Sequence, residues 1–472
     1  MGSLSRRRFS RLLDRPRRAI SPTALLGATA LLGAASLLTA CGAAPARGAL
    51  PASPGSTPAP STKAPTAATP STAGRPGTTT NPAAPVGSSG RSTPYLDRIA
   101  FFNPLHGEGL FTLHPDQAPV MGHVAATDCP LAVGPTNDGG AHFGPLVTVA
   151  PATCGGSPPA SRIAFSDQGD GFVYDPGLYV THDAGRSWAA DPQPGAVLSV
   201  AALGSSIWML LARCPTAGGS APQAGLSCPL SLQVSADGGR TFASAPTQPS
   251  GAAARSYGGG TIATEPALGQ SWLVRTGTHS GYVLAPPVPG GNGGADQAEL
   301  WATTNAGVSW QAHPVPCGIP ALSVVLSAAP GGTLFALCAG QPAAGNQFKS
   351  SLTSHDGGAT WSVHVPCNLA DLGTPTGCPS DFVGGYLGEV DAVSATKAFL
   401  VGGRNSLRVT TDGGKSWSVV QPPLGGQAGG TSQVIFFDPA HGVVLGNSRE
   451  GITIWSTADA GATWSAVVPQ VS

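Results

Sequence analysis

Ten arginines lie between Arg98 and the C-terminus, and two of them open the same tripeptide, Arg98-Ile99-Ala100 and Arg162-Ile163-Ala164. A guanidinium holds a carboxylate well because its planar fork donates two parallel hydrogen bonds. A second group, Arg255, Tyr257, Trp272, Arg275, His279 and Tyr282, gathers in the longest insertion of the chain. Exposed aromatic residues beside arginine suit an interface, although Trp272 also fits a strand residue buried between sheets. Gly414-Lys415-Ser416 imitates the end of a phosphate-binding loop, but Val409 stands where that loop requires glycine. The chain contains no H-E-x-x-H, no G-x-S-x-G and no C-x-x-C. No metal or cofactor is therefore expected.

The elements that must position these residues follow from a repeat. Seven octapeptides recur: Thr136–Phe143, Thr181–Trp188, Ser235–Phe242, Thr303–Trp310, Ser354–Trp361, Thr410–Trp417 and Thr457–Trp464. Each begins with Ser or Thr. The third position holds Asp138, Asp183, Asp237, Asn305, Asp356, Asp412 and Asp459. The fifth is always Gly, and the last is Phe143, Trp188, Phe242, Trp310, Trp361, Trp417 or Trp464. Each column has a physical purpose. The carboxylate accepts backbone N–H groups two residues on, the glycine supplies positive φ, and the aromatic anchors the turn on the sheet.

Apolar alternation precedes the turns, as in Leu178-Tyr179-Val180 and Leu407-Arg408-Val409. Further upstream lie first-strand patterns such as Ile163-Ala164-Phe165 and Val434-Ile435-Phe436-Phe437. About 54 residues per unit give a four-stranded antiparallel sheet with the repeated turn between its third and fourth strands. The fold class is all-β, a seven-bladed β-propeller over residues 95–472. Trp301 and Trp455 occupy third strands and are expected to pack between blades. No strand is expected to be shared between the chain ends, so ring closure would rest on packing of sheet faces.

The octapeptides resemble the Asp-box, or BNR, repeat. That resemblance implies outward-facing turns, with ligands on the opposite face of the ring. Residues 98–468 are similar, at the level of the repeat, to non-catalytic propellers such as the photosystem II stability and assembly factor and the sortilin type. This implies a protein- or peptide-binding scaffold. A more distant resemblance, to sialidases, implies three arginines around a carboxylate, a Tyr–Glu nucleophile pair and an Arg-Ile-Pro motif. Arg98 and Arg162 are the candidates for that alternative. Both lack the proline, and both also read as a recurring first-strand start.

The N-terminus reads as an address. Ser5-Arg6-Arg7-Arg8-Phe9 resembles a twin-arginine export signal, and Leu38-Thr39-Ala40-Cys41 resembles a lipoprotein cleavage site. Residues 1–40 are expected to be a signal peptide, with Cys41 lipidated on the outer face of a bacterial membrane. Residues 42–94, rich in Pro, Ala, Ser and Thr, cannot bury a core and read as a tether. Eight further cysteines suggest neighbouring disulfides: Cys129–Cys154, Cys214–Cys228, Cys317–Cys338 and Cys367–Cys378. The part after residue 94 holds 13 Lys and Arg against 23 Asp and Glu. Such an acidic body has no electrostatic reason to bind nucleic acid. The expectation is a monomer that binds an envelope protein, peptide or glycan and does no chemistry.

Overall fold

The computed structural model describes residues 92–115, 128–154, 161–166, 169–213, 227–255, 273–285, 295–343, 346–364, 385–402, 407–420, 430–448 and 451–472. These residues form β-strands and turns, with no helix among them, arranged as seven four-stranded antiparallel blades in a ring. The chain is a seven-bladed β-propeller. Cys41 and the expected signal peptide and tether before Ser92 lie outside the described residues, as do Tyr257 and Trp272.

The first strands of blades one to seven are Ser92–Phe101, Arg162–Phe165, Ala196–Leu203, Leu273–Arg275, Ser323–Ala328, Val390–Ala392 and Thr431–Phe436. They neighbour one another in order around the centre of the ring. Period-two alternation divides their side chains. In the Arg98, Glu389 and Gln433 segments, the polar residue lines a central cavity while the next residue (Ile99, Val390 or Val434) is buried between sheets.

The core is not one mass. Seven apolar clusters each fill one space between adjacent blades. Between blades three and four, for example, Trp208, Leu210 and Leu232 pack on Val283 and Trp301. Between six and seven, Phe399 and Val401 pack on Val444 and Trp455. The two third-strand tryptophans thus lie where the repeat places them. Both are 8% exposed.

Each octapeptide joins the third and fourth strands of its blade. One aspartate expectation is corrected by the geometry. The carboxylate spans four residues, not two: Asp183 Oδ1 accepts the Ser187 N–H at 2.9 Å, and Oδ2 accepts the Ser187 hydroxyl at 2.6 Å. The first-position hydroxyl completes the turn. Thr181 Oγ1 donates to Asp183 Oδ1 and accepts the Gly185 N–H at 3.0 Å. His142 replaces the hydroxyl in the first turn, where its Nδ1 meets Asp138 Oδ2 at 2.7 Å. Asn305 donates to Ser309 Oγ in the fourth.

The fifth-position glycine has a second purpose beyond positive φ. A Cβ on Gly239 would lie 2.6 Å from the Phe172 ring, and one on Gly461 would lie 2.6 Å from Phe399. Both rings belong to the preceding blade, so each turn docks against its neighbour. The fourth position is also left-handed, and three turns place alanine there: Ala184, Ala306 and Ala460, at φ 61°, 55° and 59°.

Ring closure also departs from expectation. Gln470–Val471 forms a short parallel strand on His142–Phe143, the outer strand of blade one. The Gln470 N–H donates to Ala141 O at 2.9 Å, and the Ser472 N–H donates to Phe143 O at 3.1 Å. Sheet-face packing contributes as well, with Ile99 and Phe111 against Val443, Leu445 and Ile454. The last five residues carried too little apolar pattern to announce a strand. Two further short strands, Val147–Ala150 and Ala253–Arg255, widen blades one and three.

Among the described residues, Cys129–Cys154 and Cys317–Cys338 are disulfides. Cys228 is also disulfide-bonded. Cys214, Cys367 and Cys378 lie outside the described residues.

Candidate functional site

First strands start on the face opposite the repeated turns, and there the channel opens into a cavity of about 250 Å3. Four blades line it. Blade one supplies Arg98, blade two Arg162 and Tyr174, blade six Glu389 and Asp391, and blade seven Gln433. The two candidate arginines, 64 residues apart in sequence, therefore meet at one site.

Both arginines are already engaged. Arg98 Nη1 lies 2.9 Å from Glu389 Oε1 and donates to Ser432 O at 3.1 Å. Arg162 Nε lies 3.2 Å from Asp175 Oδ2, and the Ser161 hydroxyl donates to the same oxygen. Asp175 sits at φ 74°, in the left-handed region. Burial pushes its carboxyl up to about 6, against the pull of Arg162. Burial also opposes the charge on Arg162, but Tyr174, Glu389 and Asp175 together hold its pKa above the usual value.

Tyr174 is 7% exposed. Burial raises its pKa, so its phenol is held protonated rather than activated. Gln433 locks the first and seventh blades across the cavity wall. Its Oε1 accepts the Ile99 N–H at 3.0 Å, and its Nε2 donates to Ile99 O at 2.9 Å. This side chain imitates a strand where no strand pairs.

Deeper in the channel, Asp391 binds three blades together. Its Oδ2 accepts the Phe436 N–H at 2.6 Å, and its Oδ1 accepts the Ser327 hydroxyl at 3.4 Å. Burial pushes its carboxyl up to about 7. Asp391 also borders a cavity of about 330 Å3 at the other mouth, lined by Leu203, Arg275, Gly331, Gly332 and Phe436. A third cavity, of about 310 Å3, adjoins the first through Arg98 and contains Tyr95, Asp97 and Thr112.

The insertion candidates are placed differently. Arg275 ends the first strand of blade four, with its guanidinium 4.5 Å over the Trp208 ring. It donates to Ser206 O at 2.6 Å and to Thr278 O at 3.0 Å. Burial lowers its pKa to about 10. Tyr282 is half-buried on the second strand of the same blade, and burial raises its pKa. His279 belongs to the turn between those strands. Arg255 ends a short strand, and its side chain is outside the described set.

Sequence reasoning did not name Glu389, Asp391, Asp175 or Gln433. A signal existed for two of them. Arg98-Ile99, Arg162-Ile163, Glu389-Val390 and Gln433-Val434 share a polar residue before a buried β-branched one in or bordering a first strand. Asp175 carried no such signal, because it reaches Arg162 from a turn on the second strand.

No family model matches this chain, and no curated protein matches it. Among solved structures, it is similar to YCF48 bound to D1 peptide at 14% identity, covering 75% of this chain and 87% of that one, with a TM-score of 0.39. It is similar to an ancestral GH74 enzyme at 13% identity, covering 80% and 46%, with a TM-score of 0.43. It is also similar to a Mycobacterium tuberculosis puromycin-hydrolyzing peptidase at 10% identity, covering 81% and 54%, with a TM-score of 0.45.

Proposed function

We propose that this protein is a non-catalytic binding scaffold, an Asp-box propeller held by lipidated Cys41 on the outer face of a bacterial membrane. It takes a protein, peptide or glycan of the envelope at the channel mouth opposite the repeated turns. One observation carries this reading: both channel arginines are ion-paired to carboxylates of the fold, Arg98 to Glu389 and Arg162 to Asp175. Such pairs offer a ligand a rim of alternating charge and hydrogen-bonding groups. They do not offer an empty cationic hole for a free carboxylate.

A second reading, a sialidase-like glycoside hydrolase, is favoured by a different feature. Arg98, Arg162, Tyr174 and Glu389 line one cavity. A phenol whose pKa is raised by burial is a poor nucleophile, which places this reading second.

The test is hydrolysis of a fluorogenic sialoside and a panel of aryl glycosides by the purified full-length protein. The scaffold reading expects no turnover above background. It also expects capture of an envelope component that Arg98→Ala abolishes while the thermal melt is retained. Turnover lost in Arg98→Ala or Arg162→Ala would overturn it.

A further inference from the structure

Away from the channel, blade one brings a histidine to a disulfide. His114 lies near the end of the second strand, Gly107–Pro115. Its Nδ1 is 3.6 Å from Cys129 Sγ, and the three side-chain ligand atoms of His114, Cys129 and Cys154 lie within 4.8 Å of one another. The two cysteines are not equivalent. Cys129 is 2% exposed, Cys154 is partly exposed, and His114 is exposed.

We propose that Cys129–Cys154 is a thiol–disulfide exchange site and that His114 is its catalytic acid. The partner is a thiol by chemical class, with a protein dithiol able to complete the reaction. Its thiolate attacks Sγ of Cys154, the partly exposed residue of the pair. The Cys129–Cys154 bond breaks, and its electron pair leaves on Cys129 Sγ, the sulfur beside His114. Protonated His114 donates its proton to that thiolate and is reprotonated by water. The products are a mixed disulfide on Cys154 and a thiol on Cys129. The partner's second thiolate then attacks its own sulfur in the mixed disulfide. Cys154 leaves as a thiolate that water protonates, and the partner is oxidised to a disulfide as the pair is reduced.

The asymmetry is what makes the arrangement functional in form. Exchange runs faster when the leaving thiolate is stabilised and when attack is confined to an accessible sulfur. The backbone keeps the two cysteines adjacent without the covalent bond. The Cys129 N–H donates to Ala152 O at 2.7 Å, and Asp128 bridges Thr153. The reaction is therefore reversible without rebuilding the site. Among the described residues, titratable groups facing His114 include Asp97, whose charge acts on it, and Tyr95, whose ring meets it edge-on at 6.1 Å.

The same molecule carries its own control. Cys317 and Cys338 are both 0% exposed, inside the cluster between blades four and five. The experiment is a time course of the full-length protein in dithiothreitol, with alkylation and mass mapping of the freed thiols. Cys129–Cys154 is expected to open at least about tenfold faster than Cys317–Cys338. His114→Gln is expected to slow that opening by about tenfold while leaving the Cys317–Cys338 rate unchanged. Equal rates for the two disulfides, or no effect of His114→Gln on the Cys129–Cys154 rate, would overturn the proposal. An unchanged opening rate for the buried Cys317–Cys338 pair reports that the variant is folded.

Discussion

The rim and the channel of this propeller are built on opposite plans. On the rim, seven turns repeat one hydrogen-bonding scheme, with a hydroxyl, a carboxyl or amide, and a left-handed glycine in fixed columns. In the channel, the equivalent first-strand position carries Arg98, Arg162, Glu389 and Gln433 on different blades. Repetition on the rim solves one problem seven times, the docking of each blade on the previous one. Variation in the channel produces a site that no single blade contains. Changes at the rim should therefore alter stability and spare binding, while changes at Arg98 and Arg162 at the channel mouth should weaken binding.

The largest expected effect is at the rim. Gly239→Ala puts a Cβ 2.6 Å from the Phe172 ring at a backbone φ of 86°. Strain and overpacking together should destabilise the fold by about 3 kcal/mol. Chemical denaturation of wild type and variant at neutral pH measures the difference. Ligand capture at the channel mouth should be unchanged in the folded fraction. A loss below about 0.5 kcal/mol would show that the turns tolerate closer approach than the packing indicates.

Ring closure comes next in size. Removing Gln470–Ser472 deletes the strand pairing on blade one and the Ser472 hydroxyl's bond to Phe143 O, while the cluster around Ile99 and Val443 remains. The cost should be about 2 kcal/mol, read by the same denaturation curves. A truncated chain as stable as the full one would assign closure to the sheet faces alone.

These magnitudes track what the sequence made legible. The rim was readable because each turn is local. Thr181, Asp183, Gly185 and Ser187 complete their bonds within seven residues. Even there, the span of the aspartate was misjudged, because an Asx turn and a four-residue clasp use the same residue types. The blade count followed from the same columns. The channel was only half readable. Arg98 and Arg162 were visible as a repeated tripeptide, but Glu389 lies 291 residues from Arg98. Only ring closure makes them neighbours. Asp391 was invisible for the same reason, since its partners Ser327 and Phe436 belong to two other blades.

Asp391 supplies the smallest and most discriminating effect. Its carboxyl is pushed up to about 7 from an ordinary 3.8, chiefly by burial and secondarily by the charge of Glu389, against hydrogen bonds that favour ionisation. The folded pKa is raised, so the protonated form is the one the fold prefers. Its contribution to stability is complete below about pH 4 and is lost as pH rises through about 7. Asparagine keeps one oxygen for the Phe436 N–H and an amide for Ser327 Oγ, and it never ionises. Asp391→Asn should therefore match wild type near pH 4 and exceed it by about 1 kcal/mol near pH 8. Melting both proteins across that range decides the matter. Converging curves at low pH and diverging curves at high pH place the cost in the channel carboxylate. Parallel curves would mean that solvent already reaches Asp391, and the channel would then be as forgiving of charge as the rim.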